Sequence, residues 1–181
     1  MSKKLSLLIA SLENRKPMLD NLTRFLKAIV TPEVEVLISL DTGEKTIGTK
    51  RNELLRAATG DYIAFVDDDD YLSPLYIKLI LEAIATFPDC VGITGIIMLK
   101  KEGPRLFKHS LQYKHWFEEN NIYYRCPNHL NPVKREIALT NLFPEISDQE
   151  DRVYSLNLQH KLKTEINIET PLYYYIPSSE Q

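Results

Sequence analysis

Apolar residues fall along this chain in short blocks. Leu5-Ser6-Leu7-Leu8-Ile9-Ala10, Val34 to Leu40, Tyr62 to Val66 and Val91 to Leu99 are runs bounded by glycine, proline or charged residues that read as strands, the Tyr62 to Val66 run as one buried on both faces. Between the first two, Leu19, Leu22, Leu26 and Ile29 recur at spacings of three and four, which predicts a helix opening near Pro17 and ending before Thr31-Pro32. A second helix starts near Thr49, turns Leu54, Leu55 and Ala58 inward and stops at Gly60, read as a left-handed C-terminal cap. Ser73 and Pro74 open a third, with Tyr76, Leu79, Ile80, Ala83, Ile84 and Phe87 on its buried face. Repeated strand-turn-helix units predict an α/β fold with a mostly parallel central sheet flanked by helices. Gly92 and Gly95 interrupt the fourth strand where a bulge or a close backbone approach is expected.

Beyond residue 99 the periodicity weakens. The stretch from Lys100 to Arg125 is basic and aromatic, and only a short helix near Lys114 to Asn120 is assigned in it, with Tyr113 and Trp116 as partial core. Asn131-Pro132 reads as the start of a helix to Leu139, and Ser147 opens another to about Gln159. Thr164 to Ile168 and Leu172 to Ile176 read as two closing strands. The 181 residues fit a single domain. A net charge of −3 gives no electrostatic case for a nucleic-acid partner. Two cysteines, Cys90 and Cys126, make no disulfide framework, and Cys126 with His129 lacks the second pair of a zinc site, so both read as structural. With no apolar run long enough for an integral membrane segment or signal core, a cytoplasmic location is expected.

The chemistry concentrates in Asp67-Asp68-Asp69-Asp70, directly after the Tyr62 to Val66 strand. Adjacent carboxylates at a buried strand's end repel one another, and a hard divalent cation relieves that repulsion. Ligands of open α/β sheets bind at this end of the strands. Side chains two apart in an extended segment point the same way, so Asp67 and Asp69 are expected to share a metal while Asp68 faces elsewhere. Lys50 and Arg51, at a helix N-terminus, would add positive charge where the dipole favours an anion.

Gly60-Asp61-Tyr62-Ile63-Ala64-Phe65-Val66-Asp67-Asp68-Asp69-Asp70, followed by Leu72 and Pro74, resembles the Asp-x-Asp segment of family 2 glycosyltransferases of the GT-A fold. Gly48-Thr49-Lys50-Arg51-Asn52 is similar to that family's glycine-led Arg-Asn helix start, and Phe143-Pro144-Glu145 with Glu150-Asp151 to its acceptor-side Glu-Asp motif. Ala10-Ser11-Leu12-Glu13-Asn14-Arg15 keeps the hydroxyl, Asn and Arg of the family's first motif and lacks its Pro and Tyr. The resemblance implies a nucleotide-sugar half to about residue 99 and a small acceptor half beyond it. It also implies an inverting transfer from a nucleotide diphosphate donor, with Mn²⁺ or Mg²⁺, to a hydroxyl of a saccharide or other acceptor lying against residues 100–129. Asp69 and Asp67 would hold the metal. Ser11, Glu13, Arg15, Asp41, Lys50, Arg51, Asp67 and Asp68 would bind the nucleotide sugar, with Asp41 favouring uracil. Asp151, ahead of Glu150, would be the general base. Two other classes stay open: a nucleotidyltransferase of related architecture, which lacks support from any glycine-rich loop after the first strand, and a non-catalytic carbohydrate-binding module.

Overall fold

The computed structural model describes residues 3–99 and 101–177, so Lys100 of the basic stretch lies outside the described residues. Strand β1 (Leu5–Leu12) passes through a single 3-10 turn, Glu13–Arg15, into helix α1 (Lys16–Ile29), which carries Pro17 in its first turn. Then follow β2 (Val34–Asp41), α2 (Ile47–Ala57), β3 (Tyr62–Phe65), β4 (Tyr71–Leu72), α3 (Tyr76–Ile84) and β5 (Cys90–Leu99). The remainder comprises β6 (Gly103–His109), β7 (Phe117–Glu119), β8 (Ile122–Arg125), β9 (Val133–Lys134), α4 (Arg135–Ala138), α5 (Glu150–Leu158) and β10 (Glu165–Tyr175).

All strands join one sheet in the order β2-β1-β3-β9-β5-β6-β8-β7, with β10 beside β5 and β4 beside β10. β1 pairs in parallel with β2 and β3, and β5 in parallel with β10. Antiparallel pairing enters through β9, β6, β7 and β4. The apolar runs split by alternation between the two faces of this sheet. Leu5, Leu7, Ile9, Tyr62 and Ala64 join Leu19, Leu22 and Leu26 of α1 and Tyr76, Ile77 and Ile80 of α3 in one core. Leu8, Ile63 and Phe65 join Leu54 and Leu55 of α2 and Tyr154 and Leu158 of α5 in the other. This is the α/β architecture with a mostly parallel centre that the strand-turn-helix pattern predicts.

Several local expectations need correction. Gly60 is not a left-handed cap: α2 ends at Ala58 in extended backbone, and the positive-φ glycines are Gly43 and Gly103. Gly60 is small for another reason, since a Cβ there would lie 2.7 Å from Ser6 Oγ and 2.8 Å from the Leu5 carbonyl carbon. Phe87 does not join the buried face of α3; the helix stops at Ile84 and Phe87 stands 70% exposed in a left-handed conformation. The helix expected near Lys114 to Asn120 is instead the β7–β8 hairpin, turned by Asn120 and Asn121, both at positive φ. The helix expected from Asn131 begins only at Arg135. Pro132 O accepts from the Val91 amide (2.8 Å) and Asn131 Nδ2 donates to Val91 O (2.9 Å), drawing that segment into the sheet first. The helix expected from Ser147 starts at Glu150, after Gln149 at φ 61°. The two closing strands are one, β10, with register shifts around Pro171. Gly92 and Gly95 are close approaches as expected: added Cβ atoms would meet Asn167 Oδ1 at 1.8 Å and the Phe107 ring at 2.2 Å.

Candidate active site

The aspartate run leaves β3 as a turn, closed by the Asp70 N–H donating to Asp67 O at 3.3 Å. Because the backbone turns, the extended-strand rule does not hold, and Asp68 is not set apart from Asp69. Ser11 Oγ donates to Asp68, Arg15 Nε donates to Asp68 Oδ1 (2.9 Å) and an Arg15 amino group meets Asp69 Oδ2 at 2.7 Å. Asp67 has other partners: Arg51 at 3.0 Å and His129 Nε2 at 3.1 Å. Burial alone would raise the Asp67 carboxyl, but His129 and Arg51 outweigh it and hold the group well below the usual carboxylate range. Asp70 shows the opposite balance. Burial first, then the charges of Asp67 and Asp69, push it up to about 8. Its oxygens accept from Tyr173 Oη (2.7 Å) and the Ile176 amide (2.9 Å), and the same Tyr173 oxygen accepts from the Asp67 N–H at 3.1 Å.

Helix α2 opens with Thr46 as its cap, whose hydroxyl accepts from the Thr49 amide at 3.1 Å. Its first turn packs on the Phe143-Pro144 segment. Asn52 and Phe143 exchange two hydrogen bonds of 2.9 Å, and a Cβ at Gly48 would sit 1.9 Å from Pro144 O, so only glycine lets the two segments meet. That contact sets Arg51 between the aspartate turn and α5: one amino group reaches Asp67, the other reaches Glu150 at 2.6 Å, and the guanidinium lies over Phe65 and Phe143. Lys50 is buried rather than offered at the helix end. Its Nζ donates to Ser11 O (2.8 Å) and Asp41 Oδ1 (2.7 Å). Asp41 is held below the usual carboxylate range chiefly by that Lys50 hydrogen bond, and Oδ2 accepts from the Lys45 amide at 3.1 Å.

Two adjoining cavities result. One, of about 400 Å³, is lined by Ser11, Arg15, Lys50, Asp67, Asp68 and Asp69. The other, of about 360 Å³, is lined by His109, Arg125, His129, Glu150 and Asp151. Arg51, Asp67, Ser147 and Tyr175 line both. Asp41 is not itself part of the lining, although its neighbours Gly43 and Lys45 are, and Glu13 is exposed in its 3-10 turn, also outside it. Glu150 is buried on Arg51, whereas Asp151 is 29% exposed and its Oδ2 stands 3.9 Å from His129 Nδ1. His109 is kept neutral by burial, with Arg125 and His129 adding to the effect.

Among the described residues no three His, Cys, Asp or Glu side chains converge as a metal cage. Asp67 and Asp69 do open on the same cavity. A two-carboxylate set fits a hard divalent cation that takes its other ligands from phosphate oxygens and water. Arg125, Tyr173 and Tyr175 join the site without a signal of their own in the sequence. His129 belongs to it through Asp67, 62 positions away, and not through Cys126, whose thiol faces Ser155 Oγ at 3.2 Å. The Asn120-Asn121 pair was the available signal for the hairpin that ends in Arg125.

Comparison with known proteins agrees with this fold. TarS of S. aureus, residues 1–349 in complex with UDP, superposes with a TM-score of 0.74 at 18% identity, over 97% of this chain and 61% of that one. The same protein with UDP-GlcNAc gives 0.73 at 15% identity, over 96% and 58%. A further TarS structure gives 0.69 at 19% identity, over 98% and 37%. The chain thus spans about 60% of the first two of these TarS chains. No curated protein sequence matches it. No helix among the described residues is long and apolar enough to cross a membrane. The sequence pattern of glycosyl transferase family 2 matches residues 17–144, from the first turn of α1 to the Phe143-Pro144 segment under α2, and the chain belongs to that family.

Proposed function

We propose that this chain transfers a sugar from a uridine diphosphate donor to a hydroxyl acceptor, with inversion at the anomeric carbon. The observation that carries the reading is the shared wall: Asp67 lines both cavities, so groups suited to a diphosphate and groups suited to a proton acceptor meet along one edge. Uridine follows from the UDP and UDP-GlcNAc bound by the structural neighbour and from the place of Asp41 at the end of β2. Each Asp41 oxygen has two lone pairs, so contacts to Lys50 and Lys45 leave room to accept from a base imide.

Asp69 and Asp67 would hold a Mn²⁺ or Mg²⁺, which when bound supplies positive charge to the leaving diphosphate. Arg15 and Ser11 fix the turn from below, and Lys50 fixes the end of β1 against β2. Asp151 accepts the acceptor's hydroxyl proton, because Glu150 is already locked to Arg51 and Asp151 keeps an oxygen toward the cavity. Glu150, the carboxylate beside it, is held by Arg51 rather than offered as a covalent nucleophile, which favours a single displacement. The aromatic residues around the β7–β8 hairpin, with Trp116 just ahead of β7, would face the acceptor.

The test is thermal. Mn²⁺ with UDP should raise the melting temperature by preferential binding to the folded chain, and Asp69→Ala should remove that rise. A rise that persists unchanged in the variant would remove Asp69 from the site. Absence of any rise with UDP, guanosine or adenosine diphosphates would remove the donor reading altogether.

A further inference from the structure

The arginines near the site differ in what they meet. Arg15 contacts Asp68 and Asp69, Arg51 contacts Asp67 and Glu150, and Arg105, nearby on β6, contacts Glu102 and Glu118. Arg125 contacts no carboxylate among the described residues. It ends β8, its carbonyl is fixed by the Ser110 amide at 3.0 Å, and its guanidinium lies over the Trp116 ring, 4.4 Å from the centroid. The side chain is half-buried and lines the Asp151 cavity. Burial lowers its pKa, and the charge of Asp151 opposes that through space without ion-pair contact. A planar cation laid on an indole keeps its in-plane N–H groups for a ligand, in the fork that matches a carboxylate or a phosphate. Of the acids on this wall, Glu150 is held by Arg51 and Asp148 is exposed to water.

We infer that the acceptor carries an acidic group, a carboxylate or a phosphate, which Arg125 grips from its place on Trp116 while Asp151 addresses the hydroxyl. The inference rests on the reading of this cavity as the acceptor side, and it makes the acceptor a two-point ligand. The anion fixes distance and direction, and the hydroxyl falls at the base. A neutral sugar would satisfy the hydroxyl end only and leave the guanidinium's N–H groups without an ion-pair contact.

Binding to the full chain separates this from the donor reading, because it can be measured with and without UDP and Mn²⁺. Methyl glucuronide is compared with methyl glucoside, and glycerol phosphate with glycerol, by ligand-detected NMR titration at low salt. At least one acidic probe should bind about tenfold or more tightly than its neutral partner, and the pair that shows the preference identifies carboxylate or phosphate. Arg125→Gln should erase that preference, and Arg125→Lys should retain part of it. The UDP-dependent rise in melting temperature should stay as in the parent, which also verifies that each variant is folded. Equal binding of acidic and neutral probes, no binding of any probe, or a preference that survives Arg125→Gln would each overturn the inference.

Discussion

On the donor wall charged side chains meet in pairs: Lys50 with Asp41, Arg15 with Asp68 and Asp69, Arg51 with Asp67. On the acceptor wall the described partners are sparse. Among the described residues Arg125 meets no carboxylate, His129 Nδ1 makes no hydrogen bond and stands 3.9 Å from Asp151 Oδ2, and Asp151 accepts from the amide of the next residue at 2.7 Å. The donor wall is thus set before any ligand arrives, with its dipoles and charges already in place, which is how electrostatic stabilisation avoids a reorganisation cost. The acceptor wall keeps its chemistry in reserve.

The largest effect should come from removing the arginine that pairs with a carboxylate on each wall. Arg51→Met leaves Asp67 and Glu150 facing each other without their shared cation. Removing one member of a buried pair costs about 3–5 kcal/mol, so the melting temperature should fall by on the order of 10 °C. A fall of only a degree or two would show that the walls stand independently. Next, Asp151→Asn keeps shape and cannot take a proton. Sugar transfer should drop about a hundredfold while calorimetric UDP affinity stays level; a matching loss in both would place Asp151 on the donor wall.

A smaller change tests the donor wall alone. Asp41→Ala should weaken uridine nucleotides about tenfold more than guanosine nucleotides, since only a base edge that was paired leaves a group stranded. Equal weakening would confine Asp41 to holding Lys50. The smallest effect lies at the far end of the same sheet. Glu35 Oε1 accepts from Ser6 Oγ (2.5 Å), the Thr59 amide (2.6 Å) and the Gly60 amide (3.2 Å). Partial burial would raise its pKa, but these donors prevail and lower it. A depressed carboxyl contributes stability above its unfolded pKa, about 4.3, and loses it as the pH falls through the folded value. Glu35→Gln should therefore cost about 2 °C at pH 7, with the gap to the parent closing as the pH drops below about 4. A gap independent of pH would mean the charge is immaterial there.

The two halves of the chain also differ in how much of them the sequence discloses. In β1, α1, β3 and α3 each element buries a face of its own, and Leu19, Leu22 and Leu26 or Leu5, Leu7 and Ile9 display that face at helical or strand period. The β7–β8 hairpin buries no residue fully, so its residues carry no alternation; they are strands because β6 pairs with β8, and their aromatic spacing comes from Phe117 stacked on Tyr124 at 4.9 Å. Motif residues were legible as residues and less so as contacts. Lys50 and Arg51 were visible as cations near an anion site, but that the partners would be Asp41, Asp67 and Glu150 depends on pairings up to 99 positions apart.

The Tyr173 hydroxyl, which holds both the Asp67 amide and the Asp70 carboxyl, also dictates when the site comes into being. The aspartate turn leaves the ribosome 106 residues ahead of the tyrosine that fixes it. Domains begin to order from the N-terminus as they are made, so the helices and strands around β1 can settle early while the turn waits for its clasp. In a nascent chain the Ser11, Arg15 and Arg51 contacts to the aspartates can therefore form before β10 is made, whereas the Asp67 amide and the Asp70 carboxyl gain their shared hydroxyl only once β10 docks.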